Sequence, residues 1–276
     1  MEKKDFSFIE NMKPQGALVM GLIAGVIIGV VIMVAVAGGG GIKKVEDQIK
    51  KDVATTTDQV VVSDDKPVVI PESQTNKPKV ELFIMTYCPY GLQMQKAYLP
   101  VMKLLGGKAD MDIKFVSYIM HGEREIVENN TQYCIQKEQA DKYVSYAECF
   151  AATGNAASCL KLAKVDEAKL ASCVLVTDKT FKITELFNNK NTWLSGNYPL
   201  YNVHKDLNVK YGVQGSPTLV INGKQVNVNR TAEAVKTAVC DTFEVKPAEC
   251  NTVLSIQSLQ AGFGAAAGAS QDATCN

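Results

Sequence analysis

The thiols carry most of the chemistry this chain could perform. Eight cysteines stand at positions 88, 134, 149, 159, 173, 240, 250 and 275 of 276 residues, with two histidines, His121 and His204. Cys88 differs from the rest in its setting. It follows an apolar stretch, "KVELFIMTY" (79–87), and opens "CPYG". A cysteine and a proline at the start of a helix suit thiol–disulfide exchange, because the free N–H groups and dipole of a helix N-terminus support negative charge on sulfur. The usual dithiol site reads C-x-x-C, and here the fourth position is Gly91. A dithiol site releases its own mixed disulfide. A monothiol site depends on a small thiol, on the substrate's second cysteine, or on another cysteine of the same chain.

The other cysteines suggest staples. No spacing is the paired C-x-x-C of a zinc site, and the histidines are far apart, so neither a metal nor a cofactor is expected. An even number of widely spaced cysteines fits disulfides in an oxidising compartment. Cys240 and Cys250 bracket the end of a predicted helix and are expected to pair. Cys134, Cys149, Cys159 and Cys173 allow three connectivities, of which we favour the nested one, 149–159 with 134–173. Cys88 and Cys275 are then left over. Cys275 is the penultimate residue of a small-residue tail, 252–276, expected to be flexible and long enough to reach Cys88. It is a candidate resolving thiol, a spare thiol, or a bridge between two molecules. The formal net charge is +0, which gives no electrostatic case for nucleic acid.

The elements that would position Cys88 follow from pattern. Residues 79–87 read as a buried strand and 91–107 as a helix with an apolar stripe, ended by Gly106-Gly107. Pro89 suits the first helical position, which puts Cys88 at the N-cap. Residues 111–120 read as a second strand. His121 at its end is either a partner for the Cys88 sulfur or a surface-loop residue. Residues 122–205 read as short helices, with Asn155 and Asp166 as caps, stapled because each buries little area. Thr218 to Ile221 is a short strand, Asn222-Gly223 a type I′ hairpin turn, "KQVNV" the return strand, and 231–243 a helix capped by Thr231. Tyr87 and Tyr90 flank the cysteine as contact surface. The stretch "TWLSGNYPLY" has no reading from pattern alone.

A strand ending in Cys88-Pro89, followed much later by "GVQGSPT" (212–218) and a hairpin, resembles the thioredoxin fold. The long helical insertion is similar to Dsb-type thiol–disulfide oxidoreductases. The resemblance covers about 79–110 and 211–243. It implies that Cys88 is the nucleophile and that Pro217 is the cis proline facing it. Ser216 and Thr218, with Pro89 and Tyr90, would meet an extended substrate peptide by strand addition. Two departures are Gly91, and Leu82 at the position where many thioredoxins bury an acid.

At the other end, no charged or amide side chain occurs from Gly16 to Ile42. The span Ala17 to Ala37 would be about 31 Å long as a helix, enough to cross a bilayer. Ala17, Gly21, Gly25 and Gly29 recur every four residues, a spacing that could pair two such helices into a homodimer. The expected organisation is therefore a cytoplasmic tail (1–15), a transmembrane anchor (16–37), a linker (38–78), a thioredoxin-like α/β domain (79–251) with its helical insertion (122–205), and the tail (252–276). All cysteines follow the anchor, which puts the domain on the extracytoplasmic side. Two function classes remain. One is an oxidoreductase acting on cysteine-containing proteins, of reductase or isomerase type. The other is a non-catalytic module that grips extended polypeptides.

Overall fold

The computed structural model describes residues 74–264. The expected anchor, the first part of the linker and Cys275 lie outside them. Among the described residues no helix is long and apolar enough to cross a membrane.

In chain order, β1 (Lys79–Ile84), α1 (Pro89–Leu105) and β2 (Asp110–Phe115) form a β-α-β unit. The insertion follows as α2 (Glu123–Glu138), α3 (Ala140–Thr153), α4 (Ala156–Leu162), α5 (Glu167–Phe181), α6 (Ile183–Asn188) and α7 (Lys205–Tyr211). The chain returns to the sheet as β3 (Thr218–Ile221), β4 (Lys224–Val226) and α8 (Ala232–Cys240). The sheet order is β2-β1-β3-β4, with β1 parallel to β2 and antiparallel to β3. A β-α-β unit and a β-β-α unit sharing one sheet make a thioredoxin-like fold, with helices inserted between β2 and β3. β1 is central and buried at every position except Lys79, as a strand covered on both faces must be.

Local chemistry sets most boundaries. Asn222 and Gly223 have φ of 49° and 86°, the double positive φ that a type I′ turn needs to match strand twist. Thr231 Oγ1 accepts from the Ala234 N–H, Asn155 Oδ1 from that of Ser158, and Asp166 Oδ1 from those of Ala168 and Lys169. Tyr98, fully buried in α1, donates to the Val80 and Asp112 carbonyls at 2.9 and 3.2 Å and so ties the helix to both parallel strands. Disulfides join Cys134 in α2 to Cys173 in α5, Cys149 in α3 to Cys159 in α4, and Cys240 at the end of α8 to Cys250.

Three expectations need correction. β2 ends at Phe115, not at 120. Beyond it the backbone leaves β1 for the segment after α6, through Ile119 N–H to the Pro199 carbonyl, Tyr201 N–H to the Ser117 carbonyl, and a bridge between Tyr118 and Leu200. The folded body includes Thr75, ahead of Lys79, because Thr75 exchanges hydrogen bonds with Thr242 and Glu244. The tail is not free from residue 252. It runs back over α1 as a strap as far as Gly264. Phe263 is buried between Tyr87 and Phe150, which removes most of a large aromatic surface from water, worth about 1.5–3 kcal/mol. The Lys96 ammonium donates to the carbonyls of Gln260, Gly262 and Gly264. Burial holds that ammonium below its ordinary lysine range.

Candidate active site

Cys88 is the N-cap of α1, with extended backbone (φ −69°, ψ 124°) and Pro89 directly after it. Pro89 has no N–H to satisfy, and the Cys88 carbonyl accepts the first helical bond, from Leu92 at 2.8 Å. The sulfur makes no capping bond to the helix. It turns to the other chain segment instead and donates to the Ser216 carbonyl at 3.6 Å. The Ser216–Pro217 peptide bond is cis. Cys88 is 5% exposed, so only the edge of the thiol meets solvent. Among the described cysteines it alone is outside a disulfide.

The fold thus brings Cys88, Pro89, Ser216 and Pro217 together. Ser216 makes two contacts within the site. The Ser216 carbonyl is engaged by Cys88, and its Oγ accepts the Met85 N–H at 2.9 Å. Thr218 Oγ1 donates to the Gly215 carbonyl at 2.9 Å and fixes the turn into β3. Tyr90 is 53% exposed on the rim, with the Arg230 guanidinium 5.0 Å from its ring centroid. Tyr87 points the other way, into the insertion, packed edge-on to Phe150 and Phe263 under the Arg124 guanidinium. Cys275, the expected resolving thiol, lies outside the described residues.

His121 is neither a strand end nor a surface residue. It is buried and paired with the fully buried Glu125 one helical turn ahead, which also accepts its backbone N–H. His204 is buried as well. Its Nδ1 accepts the Phe115 N–H at 3.0 Å, and its ring stacks on Phe115. Burial, with help from Lys114, lowers its pKa to about 3, so the ring is neutral.

The stretch that pattern could not read finds its place beside the thiol. Leu194, Ser195 and Tyr198 line a groove of about 390 Å³, together with Ser117, Tyr118, Met120, Val213 and Gln214. Tyr118 and Val213 also pack in the small apolar cluster that includes Cys88 and Met85. Tyr118 donates to the Gln214 carbonyl at 2.8 Å, two residues before Ser216. Burial raises the Tyr118 pKa, and the charges of Tyr198, Glu125 and Cys88 add to it.

A second group was invisible in the sequence. Glu128 is fully buried between α2 and α3 and accepts from Gln132 Nε2 and from the Tyr146 hydroxyl, while Gln132 accepts from Gln95 of α1 and from Tyr143. Burial pushes the Glu128 carboxyl up to about 8, against the opposing pull of its Gln132 and Tyr146 hydrogen bonds. The only sequence signal was the i,i+4 spacing of Glu128 and Gln132, which solvent-facing helices show as often. Among the described residues no cluster of side chains is suited to hold a metal ion.

No protein-family model matches the chain, and no curated protein matches it in sequence. Solved structures do. Reduced DsbA from Mycobacterium tuberculosis is similar at 14% identity and a TM-score of 0.44, over 68% of this chain and 93% of that one. Oxidised BdbD from Bacillus subtilis is similar at 18% identity and a TM-score of 0.41, over 62% and 91%. A thioredoxin-like oxidoreductase from Silicibacter pomeroyi is similar at 17% identity and a TM-score of 0.37, over 59% and 84%.

Proposed function

We propose that this chain is a membrane-anchored, extracytoplasmic thiol–disulfide oxidoreductase that acts on cysteine-containing protein substrates through Cys88, in the reductase or isomerase sense. The observation that carries the reading is the seat of Cys88. Its sulfur lies at a helix N-terminus, in contact with the carbonyl of the residue before Pro217, while the other six described cysteines are paired. The Cys88 thiolate attacks a substrate disulfide, one substrate thiolate leaves, and a mixed disulfide remains. A second thiolate then attacks that bond. If the attacker is the substrate's own second cysteine, it displaces Cys88 as thiolate and the disulfide is rearranged without net redox change. If it is a separate thiol, it attacks the Cys88 sulfur and frees the remaining substrate thiolate, so the substrate is reduced and Cys88 is left in a disulfide with that thiol, which one further thiol must open to return Cys88 as thiolate.

Cys275 is one proposed resolving thiol. The strap brings Gly262 against the Pro89 carbonyl at 2.9 Å. Cys275 follows Gly264 by 11 residues in the sequence.

The test uses the full-length chain and a model protein with scrambled disulfides in glutathione buffer. Recovery of native disulfides should be accelerated, and Cys88→Ser should abolish the acceleration. Cys275→Ser should make the Cys88–substrate adduct accumulate. If Cys88→Ser retains full acceleration, the oxidoreductase reading falls. If there is no acceleration but both forms retain the unfolded substrate equally, the chain is the non-catalytic binding module.

A further inference from the structure

Gly91 stands where a dithiol site carries its second sulfur, and the surrounding atoms crowd the first carbon of any side chain there. A Cβ on Gly91 would lie 2.5 Å from Ser216 Oγ, 2.9 Å from the Met85 carbonyl oxygen and 3.3 Å from Cys88 Cβ. Non-bonded heavy atoms settle at about 3.5–4.0 Å, so the first two contacts are overlaps. Neither neighbour is loose. Ser216 Oγ accepts the Met85 N–H at 2.9 Å, and the Ser216 carbonyl is engaged by Cys88 Sγ at 3.6 Å. The Met85 carbonyl accepts the Cys88 N–H at 3.0 Å. Met85, Cys88 and Ser216 therefore close a ring of contacts around the Gly91 Cα.

We propose that Ser216 is a positioning residue that enforces a single-thiol site. Its hydroxyl, held by Met85, fills the volume of a side chain at position 91, so that position accepts only hydrogen. This inference deepens the reading of Cys88 as the exchange thiol and rests on it. The absence of a second cysteine is then matched by a substitution-resistant pocket, and is more than the loss of one residue from a dithiol site. Resolution of a Cys88 mixed disulfide has to come from outside the Cys88–Gly91 turn. That requirement favours a substrate's own second cysteine or a separate thiol over the internal release of a dithiol enzyme.

The experiment asks whether Ser216 is what keeps a second thiol out. Full-length chain carrying Cys275→Ser, to remove one competing thiol, is made with Gly91→Cys and with Gly91→Cys plus Ser216→Ala. Each is equilibrated with oxidised and reduced glutathione. The Cys88 thiolate attacks oxidised glutathione, releases one reduced glutathione and becomes a glutathione adduct. A thiolate at position 91 can then displace the second glutathione and close an internal disulfide. Non-reducing peptide mapping distinguishes the adduct from the closed form. With Ser216 present the adduct should dominate, and Ser216→Ala should raise the closed-to-adduct ratio at least tenfold. A folding control accompanies it. Gly91→Ala should lower the denaturation midpoint, and adding Ser216→Ala should recover part of the loss, although Ser216→Ala alone removes a hydrogen bond and lowers it too. Such non-additivity is the mark of two residues sharing one space. Equal closure with and without Ser216, closure in neither variant, or an equal cost of Gly91→Ala in both backgrounds would overturn the proposal. None of these readouts needs a substrate or turnover. The proposal can therefore fail while Cys88 catalysis stands, and catalysis can fail while the geometry stands.

Discussion

The two ends of the folded body are held by different kinds of force. At the Cys88 end, position is set by backbone. The β1 ladders, the Cys88 N–H to the Met85 carbonyl, and the Met85 N–H to Ser216 Oγ fix three chain segments within hydrogen-bonding distance. In the insertion, position is set by covalent staples and a buried polar network. Cys134–Cys173 and Cys149–Cys159 clamp four helices, and Glu128, Gln132, Tyr146 and Gln95 fill the space beneath. The contrast follows from area. Strands bury their backbone in ladders whatever the side chains, whereas short helices with polar faces bury too little apolar surface to hold themselves. The thiol end has geometry to protect, and the insertion has stability to supply.

The contrast breaks most sharply if the staples are cut. Replacing Cys134 and Cys173 by alanine opens a connection across 39 residues, and chain entropy puts the loss at about 4 kcal/mol. Replacing Cys149 and Cys159, only 10 residues apart, should cost about 3 kcal/mol. Chemical denaturation of the oxidised variants would measure both. Below their unfolding midpoints, both should retain exchange at Cys88. Loss of exchange in a folded variant would show that the insertion shapes the site as well as stabilising it.

A pH profile sharpens the same comparison. Glu128 in the insertion has its folded pKa raised from 4.5 to about 8. Its contribution is therefore complete below the unfolded value and is lost as pH rises through about 8. His204, against β2, has its folded pKa lowered from 6.5 to about 3. Its contribution is complete above the unfolded value and is lost as pH falls toward 3. Between about 4.5 and 6.5 the two slopes oppose each other, each of them up to about 1.4 kcal/mol per pH unit. The native chain should be nearly flat there. Glu128→Gln should unmask a rise in stability with pH and should make the protein more stable than wild type above pH 8. A profile of Glu128→Gln parallel to wild type from pH 5 to 8 would mean that the carboxyl is ionised in the fold.

The smallest effect concerns the strap that joins the two ends. Lys96→Met removes three donated hydrogen bonds. It should speed hydrogen exchange at the Gly262 and Gly264 amides by about tenfold, roughly 1.4 kcal/mol, with little change in the global midpoint. An unchanged exchange rate would leave Phe263 as the element that holds the strap.

Where the sequence was readable, the signals were local. Cys88-Pro89 at a helix start, the Asn222-Gly223 turn and the Thr231, Asn155 and Asp166 caps each depend on two to four neighbouring residues. The misreadings shared one cause. The run 111–120 keeps a partly alternating apolar pattern to its end, and nothing local says that it changes partners after Phe115. The glycine and alanine content of the tail suggested coil, yet one phenylalanine and a lysine more than 160 residues away hold it. His121 gave no sign of burial until Glu125 closed over it.

By itself, the sequence determined which cysteine stands at a helix start, the lack of a second thiol three residues on, and the order of strands and helices, because periodicity, capping and turn chemistry are short-range. The tertiary structure alone decided why position 91 is crowded for any side chain. That depends on Met85 and Ser216, 131 residues apart, meeting over one Cα. It also decided that Glu128 is protonated near neutral pH, because burial is a property of what packs around a residue and not of the residue. An overlap of an ångström between segments so distant in the chain leaves no trace in either segment.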